Sequence, residues 1–385
     1  MVAGTPTDEC PADAWPMARG TVAGTGRSAA TLRVPLTEAW QREFAGTAFG
    51  ATPVIAGGTI FLGDLDGTFH ALDLETGATR WTFTAESAGF SSAAALSTDP
   101  ALPLVVIGDD AGLVRALDMA TGDVLWSHET GGEISGGPTI LATTSGLRVL
   151  VGSQDASLSC LALADGSVVW SHSITDQIRC SPTVAHTAAG DVVFIAGCDG
   201  KLHIIDADTG TERATVPIDG PTGTTPATAD GRVYFGTEGG TFFAIDAAEA
   251  REVWRVASVP AGQSYRSSAA LADGLVIVGS RGRAIEAFAA ADGARRWRHP
   301  MRGRVDAAPL VVLAQGADAA AARLAAIVAD SAGTIAVLDA ATGERRWQFD
   351  AGTGFTGGPA VAQGRLVIAS DRGTVWCFTT APQGP

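Results

Sequence analysis

Basic side chains are scarce in this chain. Lys201 is the only lysine, and the 26 Lys and Arg residues face 41 Asp and Glu, for a formal charge of −15 and a pI near 4.7. That balance opposes generic binding to nucleic acid or anionic lipid, whose phosphates need a basic surface. No run of about 18 or more apolar residues occurs, so nothing reads as a membrane-spanning helix. The opening stretch Met1–Cys10 has neither a basic n-region nor an apolar h-region. The chain as written is therefore expected to carry no export signal and to reside in the cytoplasm. Five cysteines (Cys10, Cys160, Cys180, Cys198, Cys377) include no CxxC and no adjacent pair. So sparse and odd a set reads as buried free thiols, not a disulfide framework. The six histidines (His70, His128, His172, His186, His203, His299) show no metal-ligand spacing, and no metal is expected.

What is abundant is self-similarity. The string Ala71-Leu-Asp-Leu-Glu-Thr-Gly-Ala-Thr-Arg-Trp81 returns as Ala116-Leu-Asp118, Thr121-Gly122, Trp126 and as Val337-Leu-Asp339, Thr342-Gly343, Trp347. Worn copies end at Trp170, Ala214, Trp254 and Trp297, and a lone strand carries Trp40. A period of forty to fifty residues marks a propeller or similar array. Within each unit, short β-branched and aromatic runs alternate with Gly/Asp turns, which gives four antiparallel strands, a to d. Trp40 lies on a strand d with no strands a–c before it. The C-terminal stretch ending Thr374-Val-Trp-Cys-Phe378 supplies a–c with no d after it. The fold expected is therefore all-β: an eight-bladed propeller of four-stranded blades, closed by the N-terminal strand joining the last blade. Residues 1–34 form an extension packed on the propeller, 35–380 the single domain, and 381–385 a tail. The Ala-rich segment Ala314–Arg323 is expected as a loop inside one hairpin.

The residue types explain themselves. Glycine accepts the positive φ of the c–d turn, and the Asp and Thr side chains can satisfy its backbone. Trp40, Trp81, Trp126, Trp170, Trp254, Trp297 and Trp347 are expected to pack between blades. Loss of a fully buried one should cost roughly 3–5 kcal/mol. Ala214 lacks the indole, so the fourth blade should dock loosely, and the turn at Glu249-Ala250 has lost its Thr-Gly.

The spacing Ala-x-Asp-x-x-Thr-Gly-x-x-x-Trp resembles the tryptophan-docking motif of the quinoprotein-like (PQQ-repeat) eight-bladed propellers. The opening Ala14-Trp-Pro-Met-Ala-Arg-Gly20 resembles the lead-in that precedes such propellers. The resemblance spans roughly residues 12–380 and implies the fold far more strongly than an activity. One branch of that family comprises PQQ-dependent dehydrogenases, with the quinone and Ca²⁺ in the central channel. Another comprises non-catalytic propellers, such as an outer-membrane assembly lipoprotein that binds partners on its rim. The resemblance also implies an exported location as the alternative to the cytoplasm. The dehydrogenases stack their quinone on a disulfide of adjacent cysteines and bind calcium through a Glu/Asn/Asp cluster. This chain has no adjacent cysteines and no asparagine at all. PQQ with calcium is therefore disfavoured, and no cofactor is expected.

A site, if present, belongs at the mouth formed by the d–a and b–c loops. The blades were aligned on Pro53, Pro138, Pro182, Pro226, Pro309 and Pro359, with Ala93 and Ala269 standing in. Three residues earlier, the column reads Gly50, Phe90, Ser135, Arg179, Gly223, Arg266, Asp306 and Thr356. One position before that stand Phe49, Tyr265 and Phe355. Arg179, Arg266 and Asp306, with Phe90, Tyr265 and Phe355, would then frame a pocket for a small polar ligand or a peptide carboxylate. Arg281 and Arg304 would add positive potential. In the competing reading, Arg266 and Asp306 pair with each other and plug the channel. The b–c turns carry Asp64, Asp66, Asp109, Asp110, Asp155, Asp199, Glu238, Asp330 and Asp371, either as an acidic crown or as plain turn formers. The function expected is a monomeric binding or scaffolding propeller that takes a protein or small polar ligand. An enzyme using the funnel, a PQQ-dehydrogenase-like oxidoreductase included, is the alternative.

Overall fold

The computed structural model describes residues 9–86, 88–187, 189–316 and 321–380. The tail at 381–385 and residues 317–320 of the Ala-rich insertion lie outside that range. The described chain is all-β and forms eight sheets. Blades 1 to 7 span residues 54–84, 95–129, 139–173, 183–217, 227–257, 270–300 and 310–350. Blade 8 takes its first three strands from 360–380 and its fourth, β2 (Leu36–Glu43), from the other end of the chain. That strand runs antiparallel in register from Leu36↔Thr380 to Glu43↔Thr374. The ring is thus closed by strand exchange, and this protects an edge that would otherwise be free.

One strand was not legible in the repeat. Strand β1 (Arg27–Arg33) lies parallel to Leu310–Gln315 and makes blade 7 five-stranded. It sits on the inner side of strand a, so the chain enters blade 7 before crossing into blade 8.

Each blade grades outward in polarity. In blade 1, strand b (Thr59–Gly63) is buried along its whole length, while strand d (Thr79–Thr84) is exposed or half-exposed throughout. The buried faces of neighbouring blades interlock in apolar clusters such as Phe61, Phe69, Ala94, Val105 and Ile107 between blades 1 and 2. Each fully buried Val, Leu, Ile or Phe side chain contributes about 1.5–3 kcal/mol.

Six of the seven repeat tryptophans lie on the c–d turn of the next blade and donate the indole N–H to a carbonyl three residues before that turn's glycine. The partners run Trp40 to Leu74, Trp81 to Met119, Trp126 to Leu163, Trp170 to Ala207, Trp254 to Ala290 and Trp297 to Ala340. The turn glycine has two reasons to be glycine. Gly122 adopts φ 79°, and a Cβ there would lie 2.6 Å from the Trp81 ring. The Asp at the start of the turn holds it closed: Asp73 Oδ1 accepts from the Thr76 amide and hydroxyl, both at 2.8 Å. Trp347 has no such turn to meet, because strands c and d of blade 8 come from opposite ends of the chain. It packs edge-on against Phe378, with ring centroids 5.5 Å apart.

The lead-in lies across the far end of the channel. The a strands form the inner ring, and the segment from Ala12 to Gly26 bonds to one after another. Gln363 donates to Ala12, Trp15 exchanges both bonds with Ile55, and Leu96 donates to Pro16. Val184 then donates to Val22, Thr228 to Ala23, Leu271 to Thr25 and Val311 to Gly26. Seven of the eight blades are tied to this segment.

Candidate functional site

The funnel mouth is built the same way in every blade. The second residue of each b–c turn donates its N–H to the preceding d–a loop, as in Asp110 to Gly89, Gln154 to Glu133 and Glu238 to Pro221. The first residue of each turn is buried, and where it is an aspartate it ties the turn from within. Asp64 Oδ1 accepts from the amides of Asp66 and Thr68, Asp109 from Ala111 and Leu113, and Asp330 from Ala332 and Thr334. Asp64, Asp109 and Asp330 are therefore buried caps. The acidic crown shrinks to the outward members, chiefly Asp66, Asp110, Asp155 and Asp371, because Asp64, Asp109 and Asp330 are buried with their second oxygens also bonded, to His70, Arg115 and the Gly303 amide.

The aromatics expected at the mouth are elsewhere. Phe90, Tyr265 and Phe355 are each about 1% exposed and pack within the blades. Phe90 lies edge-on to Phe69, Phe355 edge-on to Trp376, and Tyr265 donates its hydroxyl to buried Glu286 at 2.9 Å. Burial, reinforced by that carboxylate, pushes the Tyr265 phenol far above its ordinary range. Phe90 was also placed one residue out of register. Its amide bonds to Asp64 as the Phe49 amide bonds to Ser370 and the Ile134 amide to Asp109. The mouth residue of blade 2 is consequently Ser91, whose hydroxyl donates to Asp110 at 2.6 Å. The residue of blade 2 that stands where other blades carry proline is Ala94, not Ala93, which shifts the column by one residue.

The charged mouth residues do come to the funnel face, with partners the sequence did not indicate. Arg266 does not pair with Asp306. It reaches back to Glu238 on the b–c turn of blade 5 at 3.1 Å. Asp306 is gripped at both oxygens by Arg281 of blade 6, at 2.9 and 2.8 Å. The Asp306 carboxylate raises the Arg281 guanidinium above its usual value. Both pairs bridge adjacent blades and leave no net charge. Arg179 differs: its Nε and Nη2 both donate to the neutral Gln177 Oε1, at 2.9 and 2.6 Å, and it makes no ion pair among the described residues. Its cationic charge stays uncompensated and half-buried. In the loops of the same face, Leu65 and Val259 expose 44% and 43% of their surface.

Below the mouth, small residues bond from blade to blade around the channel. Thr139 donates to the Pro182 carbonyl, the Ser181 amide to Thr225 Oγ1, the Thr225 amide to Ser268 Oγ and Ser267 to the Ala307 carbonyl. Neighbouring blades approach so closely here that a Cβ at Gly136 would lie 2.2 Å from the Cys180 carbonyl oxygen, and one at Gly357 2.3 Å from that of Ala51. The floor holds Arg19. Its Nη2 donates to the carbonyls of Ala269 and Pro309 at 2.7 and 2.8 Å, and burial lowers its pKa to about 9. These residues do not fit a quinone with calcium. The docking tryptophans lie between blades and the cysteines are separate free thiols. The mouth carboxylates Glu238 and Asp306 are already neutralised by arginines.

Fold and face together define a PQQ-type eight-bladed β-propeller with a closed channel floor and a polar funnel mouth. The chain matches the family model described as outer membrane protein assembly factor BamB over residues 110–189, 179–316 and 331–383, and it belongs to that family. Among solved structures, BamB from Moraxella catarrhalis is similar at 19% identity and a TM-score of 0.70, covering 89% of this chain and 99% of that one. A europium-containing methanol dehydrogenase is similar at 14% identity and 0.75, covering 96% and 98%. The quinohemoprotein alcohol dehydrogenase from Comamonas testosteroni gives 14% and 0.73, covering 97% and 82%. At such identities these structures share the fold alone. No curated protein matches the chain.

Proposed function

We propose that the protein is a binding or scaffolding propeller that holds a polypeptide partner on its funnel face, with Arg179 receiving an acidic group of that partner. The observation that carries this is the contrast at the mouth. Arg266 and Arg281 are neutralised by Glu238 and Asp306, whereas Arg179 keeps a half-buried guanidinium whose only acceptor is an amide oxygen. A guanidinium held by a neutral group exchanges readily for a bidentate carboxylate. Exposed Leu65 and Val259 on the same face supply apolar contact of the kind interfaces use. The lead-in covers the channel floor, which leaves the mouth as the open approach to this face.

Site-specific photocrosslinkers at Ser91 and Thr356, compared with positions Asp99 and Asp230 away from the mouth, test this. Crosslinks to one polypeptide should arise from the funnel positions. Arg179→Ala should weaken that partner about 10- to 100-fold, the loss of one charge-assisted contact. Crosslinks confined to the opposite face would refute the proposal, as would dye-linked alcohol oxidation after reconstitution with PQQ and Ca²⁺.

A further inference from the structure

Two histidines far apart in the sequence meet across the boundary between blades 3 and 4. His172 follows the docking Trp170 by two on strand d of blade 3 (Val168–Ser173). His203 is the third residue of strand c of blade 4 (Lys201–Asp206), and Glu212 opens strand d of the same blade (Glu212–Pro217). One ring nitrogen each of His172 and His203 and a Glu212 carboxylate oxygen all lie within 4.8 Å of one another. Glu212 Oε2 is 2.7 Å from His203 Nδ1 and 3.6 Å from His172 Nε2. His172 Nε2 is shielded from solvent and has no hydrogen-bond partner among the described residues.

We propose that His172, His203 and Glu212 form a binding site for a divalent transition metal of the zinc class, which ties blade 3 to blade 4 and leaves a coordination position to water. Two imidazoles and a carboxylate are the donor set such an ion takes when one position stays open. The outer nitrogen of His203 supports the assignment. Nε2 stands 3.1 Å from Asp199, whose side chain is 2% exposed and also accepts from Thr175 Oγ1. An N–H donated there puts the Nδ1 lone pair toward the cluster, the arrangement in which a carboxylate orients a ligating histidine. A cation at the centre also gives His172 Nε2 the partner it lacks. Ligands at 2.0–2.2 Å around a tetrahedral ion stand about 3.3 Å apart, so the 2.7 Å contact must open slightly. Glu212, with 37% of its side chain exposed, has the freedom to do so.

Only this boundary has histidine at both repeat positions. His128 occupies the His172 position in blade 2, but blade 3 offers Ser159 opposite. His70 occupies the His203 position in blade 1 but packs on Phe44.

The test uses the full chain with Co²⁺ as an optical probe and Zn²⁺ as competitor. One equivalent of Co²⁺ should give ligand-field bands that Zn²⁺ abolishes and Ca²⁺, which prefers oxygen ligands, does not. His172→Ala and Glu212→Ala should each remove the bands, with circular dichroism confirming that each variant keeps the β fold. His186→Ala, at a separate histidine paired with Asp191, should leave them intact. Asp199→Asn should weaken Zn²⁺ roughly 10- to 100-fold. Failure to take up one equivalent, or uptake that persists in His172→Ala and Glu212→Ala, overturns the site.

Discussion

At the scale of single residues, the two departures from the repeat turn out to be one event. Ala214 stands where the other d strands carry a docking tryptophan, and the turn it faces carries Ala250, not glycine. Ala250 adopts φ 48°, and both residues pack against the same cluster between blades 4 and 5. An alanine in the left-handed region costs about 1–2 kcal/mol. It is tolerable here because no indole lies on its Cβ. Ala214→Trp alone should therefore destabilise the protein, since the ring would press on that methyl. Ala250→Gly alone should relieve strain by up to about 1 kcal/mol. Together they should rebuild the docking contact, with a favourable coupling of about 1–3 kcal/mol in a urea double-mutant cycle. Additive effects would mean that the two positions do not share a contact. The sequence displayed both substitutions but not their adjacency, because Ala214 and Ala250 belong to different repeats. The same blindness hid His172 and His203. Phe90 failed differently, through a one-residue slip in a column marked only by small residues. The repeat placed Arg179, Arg266 and Asp306 on the funnel face, yet Arg266 and Asp306 find their partners, Glu238 and Arg281, on b–c turns that no spacing rule links to them.

At the scale of the strand, the outer edges are guarded unevenly. The two residues before the docking position are Glu212-Arg213 in blade 4, Arg295-Arg296 in blade 6 and Arg345-Arg346 in blade 7. Charged side chains on an edge strand discourage pairing with another chain. Blades 2 and 3 instead present Val124-Leu125 and Val168-Val169, exposed between 37% and 56%. Each lies on the outer edge strand of its sheet, with exposed apolar side chains on neighbouring blades. Leu125→Lys with Val169→Lys should leave the unfolding midpoint nearly unchanged, since exposed positions contribute little. The pair should raise the temperature at which light scattering begins. An unchanged onset would show that association starts elsewhere. The a–d strands were readable from alternating β-rich runs and turns because each obeys the repeat. Strand β1 was not, because it belongs to no repeat and pairs in parallel with a strand far along the chain.

At the scale of the whole molecule, two separate devices from one end of the chain complete the ring. Strand β2 closes its circumference, and the lead-in closes its axis by bonding to seven blades in turn. Arg19 is the pin of the second device. Its side chain crosses beneath Gly26, where a Cβ would lie 2.0 Å from Nη2, and it joins the carbonyls of blades 6 and 7. Burying a cation without a carboxylate is costly, and two of its nitrogens, Nε and Nη1, find no partner among the described residues. The gain lies in holding the lead-in across the floor. Arg19→Ala should remove that hold at a cost of about 1.5–3 kcal/mol, the range for hydrogen bonds to a charged group. The effect should be local. Amide exchange should quicken at Val184, Thr228, Leu271 and Val311, whose N–H groups bond to the lead-in, while the b and c strands keep their protection. The β2 pairing with Thr374–Thr380 should also hold, because it does not pass through Arg19. Uniform loss of protection around the ring would mean that axis and circumference are locked by a single device, and no change at those four amides would mean that the lead-in is held by its backbone alone.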